Sequence, residues 1–226
     1  MEAQLGVIKK SGLKDAYIRP LIYLNDERLG LDIDDMQSHL MISCWDWPSY
    51  FGAEALESGI DVMVSSFTRQ FPNSLMTKGK ISGGYVNGVM AHDQAKRNGY
   101  QEAILLDTNG FVAEGSGQNI FLIKNGKVMT PELTCCLNGI TRRSVIKIAQ
   151  DLELEVLERQ ITRDELYTAD EVFFCGTAVE ITPIKAIDKI KVGIGKRGEI
   201  TTKIQQNYLD AVRGKSEKYS DWLSKV

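Results

Sequence analysis

Residues 77–107 read TKGKISGGYVNGVMAHDQAKRNGYQEAILLD. The stretch from Tyr85 predicts a helix closed at Gly99, because a glycine just past the last turn can take the left-handed backbone that ends helices. The apolar run EAILLD (102–107) that follows predicts a strand, and Thr108, Asn109 and Gly110 predict a turn. Ahead of the helix lies a loop with Lys78 and Lys80 one residue apart, then Gly83, Gly84 and Tyr85. A loop, a helix and a strand in so short a span set a mixed pattern, and the flanking sequence repeats it.

Upstream, IDVMVSSFTR from Ile60 predicts a strand. AYIRPLIYL (16–24) and SHLMISCW (38–45) predict two more, separated by the turn-prone DERLGLDIDD (26–35). Two strands alone make a marginal sheet, so residues 1–45 read as the remnant of a small domain. Residues 46–59, punctuated by Pro48, Gly52 and Gly59, read as a linker, and 60–226 as a large domain. Within the large domain NIFLIKNGKVMTP (119–131) predicts a hairpin whose Asn125-Gly126 supplies the positive φ angles of a type I′ turn. There follow a helix over 141–152, a strand over 154–159, a short helix near 163–168 and a strand over 171–177. A strand pair around VGIGKRGEI (192–200) and a last helix over about 201–213 complete the reading. Strands outnumber helices and the two are interspersed, so the fold class is α+β.

The totals narrow the chemistry. With 226 residues, 43% apolar and 25% charged, the chain has the composition of a globular protein with a real core. The net charge is −3 and the basic residues are interleaved with acids, which argues against a nucleic-acid partner. No apolar run is long enough to cross a bilayer and the amino end lacks a leader pattern, so a cytoplasmic location is expected. Cys44, Cys135, Cys136 and Cys175 form no C-x-x-C pair, and His39 and His92 are the only histidines. Zinc sites and histidine-based triads are disfavoured. Chemistry falls to lysine, carboxylate, tyrosine or a cofactor, with no metal expected.

Four segments carry candidate chemistry, each with a plainer alternative. The lysine loop could hold a nucleophilic amine, because Lys78 places a cation near Lys80 and the glycines leave room for something bulky; such loops are more often simply solvated. LNGITRRSVIKIAQ (137–150) could seat a phosphate on the free amides at a helix start, or could be a plain threonine cap. CGTAVEITP (175–183) offers amides after a strand end, or only a turn. In FVAEGSGQNIF (111–121), Glu114 lies among apolar and small residues and would need an internal cation, unless it is a surface loop residue. Together they supply an amine, a carboxylate and two anion seats, which is the set that pyridoxal 5'-phosphate requires.

The sequence resembles the branched-chain amino-acid aminotransferases, class IV enzymes of the fold-type IV pyridoxal-phosphate group. The resemblance is carried by YIRPL, GAEALESGIDVMVSS, GGYVNGVMAHDQAKRNGYQEAILLD, EGSGQNIF, NGITRRSVI and ADEVFFCGTAVEITPI. It implies a fold-type IV large domain with a partial α/β small domain at the amino end. It makes Lys80 the lysine that bonds the cofactor and moves the substrate's Cα proton, Tyr85 the hydroxyl facing the cofactor's O3′, and Glu114 the partner of the ring nitrogen. Ile140, Thr141 and Thr177 would hold the phosphate. Thr177 and Ala178 would face the substrate α-carboxylate, and Tyr17, Arg19 and Tyr50 would belong to the substrate pocket, with Arg19 receiving the distal carboxylate of glutamate or 2-oxoglutarate. The implied reaction is ping-pong transfer of the amino group of L-leucine, L-isoleucine or L-valine to 2-oxoglutarate, in a homodimer or higher homo-oligomer. D-amino-acid transaminases and aminodeoxychorismate lyases share the lysine, the glutamate and the phosphate seat. YIRP and GTAVEITP favour the branched-chain enzymes. The family's fuller small domain, including an arginine for the cofactor phosphate, precedes the stretch present here, so a cofactor-binding chain without activity is the alternative of another kind.

Overall fold

The computed structural model describes residues 1–25, 30–47 and 49–225. By its internal contacts the chain divides into two units, Met1–Tyr50 with the last residues from Ser224, and Phe51–Leu223. The divide falls within the stretch 46–59 that reads as a linker.

The first unit opens with helix α1 (Glu2–Ser11), which the sequence reading did not assign. Glu2 in its first turn and Lys9 and Lys10 in its last complement the helix dipole, and Gly12 ends it at φ 69°. Strands β1 (Tyr17–Asn25) and β2 (Gln37–Trp45) then pair antiparallel, Tyr17 opposite Trp45 and Asn25 opposite Gln37. The turn expected over 26–35 falls in part on residues 26–29, outside the described residues, as does Pro48.

The second unit is built on one nine-stranded sheet. In chain order its elements are α2 (Ala55–Ser58), β3 (Ile60–Val64), α3 (Tyr85–Arg97), β4 (Glu102–Leu106), β5 (Val112–Gly115), β6 (Asn119–Lys124) and β7 (Lys127–Thr130). After these come α4 (Ile140–Asp151), β8 (Val156–Glu158), α5 (Arg163–Thr168), β9 (Glu171–Gly176), β10 (Glu180–Ile187), β11 (Ile190–Lys191) and α6 (Glu199–Val212). The strand order is β5-β4-β3-β10-β9-β6-β7-β8, with β11 paired to β10. The pairs β3–β4, β3–β10 and β7–β8 are parallel and the remainder antiparallel. The β6–β7 turn has Asn125 at φ 50° and Gly126 at φ 76°, the signs a type I′ turn demands.

Side chains alternate across a strand, so an unbroken apolar run must be buried on both faces. In β6, Ile120 and Leu122 enter one apolar cluster with Val62, Ile104 and Phe174. Phe121 and Ile123 enter another with Phe173, Val145 and Ile148 of α4, and Ile204 and Ala211 of α6. The rings of Phe121 and Phe173 stack with centroids 5.2 Å apart, and full burial of each such side chain is worth about 1.5–3 kcal/mol. A smaller alanine-rich cluster seats Ala91 and Ala95 of α3 on Ala103 and Leu105 of β4.

Two expectations need correction. Residues 55–58 are not linker: Ala55 is buried in the core as part of α2, with Phe51 packed beside it. VGIGKRGEI is not a strand pair. Gly193 (φ 47°) and Gly195 (φ 74°) bend the chain, a Cβ on Gly193 would meet the Asp170 carbonyl at 1.9 Å, and α6 already begins at Glu199. The strands lie earlier, in β10 and β11. Pro183 inside β10 obscures it in the sequence, since proline is scarce in interior strands.

Candidate functional site

Glu114 lies on β5 with its side chain 6% exposed, which for a carboxylate demands compensation. Arg69 supplies the charge, its Nε 2.7 Å from Glu114 Oε1. The Leu137 N–H donates to Glu114 Oε2 at 3.2 Å and the Asn119 amide donates to the same oxygen at 3.3 Å. Among the described residues Arg69 Nε has no well-directed acceptor, so its contact with Glu114 is ionic more than directional. Burial pushes the Glu114 carboxyl up, while Arg69, the Leu137 N–H and Lys78 pull it down. Arg69 is fixed in turn: its backbone N–H donates to the Leu106 carbonyl and its Nη1 to Gln70 Oε1 and Asn87 Oδ1.

Arg69 and Glu114 form the inner wall of an open cleft of about 500 Å³ that Lys80, Tyr85, Gly117 and Leu137 also line. Lys80 is exposed, with Nζ 5.9 Å from the Tyr85 ring centroid. The cleft thus brings together three of the residues singled out from the sequence: Lys80, Tyr85 and Glu114. Lys78 belongs to the scaffold. Its ammonium donates to the Leu133 carbonyl and lies 3.5 Å from that of Cys136, tying the lysine loop to the segment that delivers the Leu137 amide. Cys135 and Cys136 are buried in that segment, and burial first, then the charge of Glu114, pushes the Cys136 thiol up to about 12. It stays protonated and inert as a nucleophile.

Ile140 and Thr141 open α4, outside the residues that line the cleft. Ile140 is exposed and Thr141 buried. Asn119 links this helix to Glu114: its amide also donates to the Leu137 carbonyl at 2.9 Å. A Cβ on Gly139, the residue ahead of the helix, would meet Asn119 Oδ1 at 2.4 Å. Gly139 offers no side chain to cap the first turn, and first-turn N–H groups lack intrahelical partners. Thr177 and Ala178 form the turn after β9, exposed and half-buried respectively. Cys175 of β9 pairs with Asn119 of β6, so this turn begins two residues beyond the Asn119 register position.

Tyr17, Arg19 and Tyr50 belong to the first unit. There the Arg19 guanidinium lies over three rings, 5.3 Å from the centroids of Tyr17 and Trp45 and 5.8 Å from that of Trp47. Arg69, Asn119 and Leu137 escaped the sequence reading. The signal for Arg69 was its place at the end of IDVMVSSFTR, a cation closing an apolar run in a chain whose Glu114 asked for one.

Replacing Arg69 by methionine leaves the buried carboxylate without its cation, which should cost roughly 3 kcal/mol in denaturant unfolding at neutral pH. The loss should shrink as pH falls through the folded value of Glu114, which burial holds above the ordinary 4.5, because a protonated Glu114 no longer needs the charge. A pH-independent loss would mean that Arg69 acts only by packing.

Residues 1–187 match the family Amino-transferase class IV. The branched-chain-amino-acid aminotransferase of Pseudomonas aeruginosa is 46% identical, an alignment covering 100% of this chain and 73% of that protein. The crystal structure of the Escherichia coli branched-chain amino acid aminotransferase superposes with a TM-score of 0.96 at 44% identity, over 99% of this chain and 74% of that one. The T.th. branched-chain amino acid aminotransferase complexed with N-(5'-phosphopyridoxyl)-L-glutamate superposes with a TM-score of 0.93 at 39% identity, over 99% and 73%. The chain belongs to the class IV amino-transferases and has the mixed α and β fold of their solved structures.

Proposed function

We propose that this chain is a branched-chain-amino-acid transaminase that works with pyridoxal 5'-phosphate and passes the amino group of L-leucine, L-isoleucine or L-valine to 2-oxoglutarate. The observation that carries the reading is the buried Glu114–Arg69 pair in a cleft shared with Lys80 and Tyr85. Proteins of this name at 46% identity support the substrate class. The phosphopyridoxyl-glutamate bound to a relative supports the cofactor and an acidic co-substrate.

The residues present fit such a cofactor. When bound, pyridoxal phosphate supplies an electron sink for a carbon that loses its proton. Lys80 contributes the amine that holds the group and, once displaced by substrate, the base that takes the substrate's Cα proton and returns it. Glu114, with the Arg69 charge beside it, accepts a hydrogen bond from a protonated ring nitrogen, and the Tyr85 hydroxyl partners the phenolic oxygen. Uncapped first-turn amides at Ile140 and Thr141 suit a phosphate, and Thr177 completes that seat. Thr177 and Ala178 offer backbone groups to a substrate carboxylate. Tyr17, Arg19 and Tyr50 take the substrate-pocket roles implied by the resemblance, and a guanidinium resting on aromatic rings can still offer its fork edge to a distal carboxylate.

A homo-oligomer is part of the proposal. Val86, Val89 and Met90 lie at helical i, i+3 and i+4 spacing on α3 and are 61%, 64% and 43% exposed, an apolar stripe suited to a second copy of the chain. Sedimentation should give at least a dimer mass; a monomer at micromolar concentration would remove this element. A cytoplasmic location is supported by four free cysteines.

Borohydride reduction of the chain with pyridoxal phosphate, followed by peptide mapping, should place the adduct on Lys80. Glu114→Gln should retain that adduct and lose roughly 10²-fold or more in turnover. L-leucine, L-isoleucine and L-valine should be consumed with 2-oxoglutarate in preference to D-alanine. No adduct on Lys80, or preference for the D-substrate, would overturn the reading.

A further inference from the structure

One polar chain in the second unit is unused by the proposed chemistry. Glu102 on β4 is fully buried. Its Oε1 accepts the Ala103 N–H at 2.7 Å and lies 3.1 Å from His92 Nδ1 on α3, and its Oε2 accepts the Gln118 amide at 2.8 Å. Gln118 Oε1 accepts in turn the Gly117 N–H at 3.0 Å, and Gly117 and Ser116 line the cleft beside Glu114. His92 is one-third exposed, so the chain runs from solvent to the cleft wall through two side chains that are themselves buried.

The turn at its inner end has little room to move otherwise. A Cβ on Gly88 of α3 would lie 2.0 Å from the Ser116 carbonyl oxygen, so helix and turn are in direct backbone contact. A Cβ on Gly115 would meet Gln118 Oε1 at 2.4 Å and the Phe174 ring at 2.8 Å, and one on Gly117 would sit 3.8 Å from the Tyr85 ring. With backbone packed on one side and an aromatic ring on the other, the hydrogen bond that Gly117 N–H donates to the Gln118 side chain is the adjustable restraint on Gly117.

We propose that His92, Glu102 and Gln118 are a positioning relay that sets the Ser116–Gly117 wall of the cleft, and with it the seating of Tyr85, according to the charge on His92. The proposed function gives this wall its role, but the relay stands on the hydrogen bonds themselves. With His92 cationic, the carboxylate of Glu102 is shared between a charged donor and the Gln118 amide. With His92 neutral, Glu102 loses its charge partner and draws more strongly on Gln118, polarising the amide whose oxygen holds Gly117. The charged groups near His92 are Glu102 from β4 and, on its own helix, Lys96 and Asp93, the latter paired with Arg97 at 2.5 Å. The hydrogen bond to Glu102 dominates and raises His92 above its ordinary 6.5, against burial and Lys96, with Asp93 adding to the rise. The linkage follows in sign: the pair's contribution to stability is complete below about 6.5 and is lost as pH rises through the higher folded value.

The test is a pH titration of the ¹⁵N-labelled chain between about pH 5 and 8, reading the Gly117 amide and the His92 ring together. In the wild type the Gly117 amide should shift with the His92 midpoint. His92→Gln should flatten that shift. Gln118→Met should flatten it while His92 still titrates, which separates a relay from general loosening. A Gly117 amide that ignores His92 in the wild type, or follows it unchanged in Gln118→Met, would overturn the relay. With pyridoxal phosphate as probe, the same midpoint should appear in its dissociation constant and vanish in both variants. A wild-type chain that takes up no pyridoxal phosphate would sink the proposed function while the amide titration still decides the relay.

Discussion

A carboxylate taken out of water must be given back charge and hydrogen bonds, and Glu114 is where this constraint binds the second unit together. Its Arg69 partner sits beyond β3, its backbone donor Leu137 lies on the approach to α4, and its amide donor Asn119 starts β6. Three segments distant in sequence therefore converge on one buried group. An isolated ionised side chain at this depth would be protonated instead, and the direction of its shift shows burial still prevailing over Arg69. The site is built so that added positive charge near Glu114 is welcome, which is what a protonated ring nitrogen would bring.

The scaffold around that group is stiff for reasons that lie in small residues. Gly88 lets α3 touch the Ser116 carbonyl, and Gly139 lets the start of α4 pass Asn119. Lys78, whose neighbour Lys80 is the reactive candidate, bonds carbonyls of the 133–136 segment and so braces both the lysine loop and the Leu137 amide. Two lysines one residue apart thus have separate tasks, one structural and one exposed to the cleft.

Much of this was legible in the sequence. The Asn125-Gly126 turn announced the β6–β7 hairpin because positive φ at two successive positions is costly for most residues. The two-sided burial of NIFLIK follows from its lack of alternation. Glu114 could be recognised as needing a cation, yet Arg69 could not be named, because the two lie on segments far apart in the chain and no local pattern encodes their contact. VGIGKRGEI misled because its apolar residues alternate with glycines that serve bends, while Pro183 hid a true interior strand. The His92–Glu102–Gln118 chain was invisible for the same reason as Arg69: each residue is unremarkable until β4, α3 and the turn after β5 are brought together.

Everything proposed for the cleft turns on what Glu114 does for a bound ring. Pyridoxal phosphate labelled with ¹⁵N at the ring nitrogen and bound to the wild-type chain reports that directly. A chemical shift in the pyridinium range at neutral pH, moving toward neutral pyridine in Glu114→Gln, is the expected result. A neutral-pyridine shift in the wild type would show that Glu114 does not hold the ring nitrogen protonated.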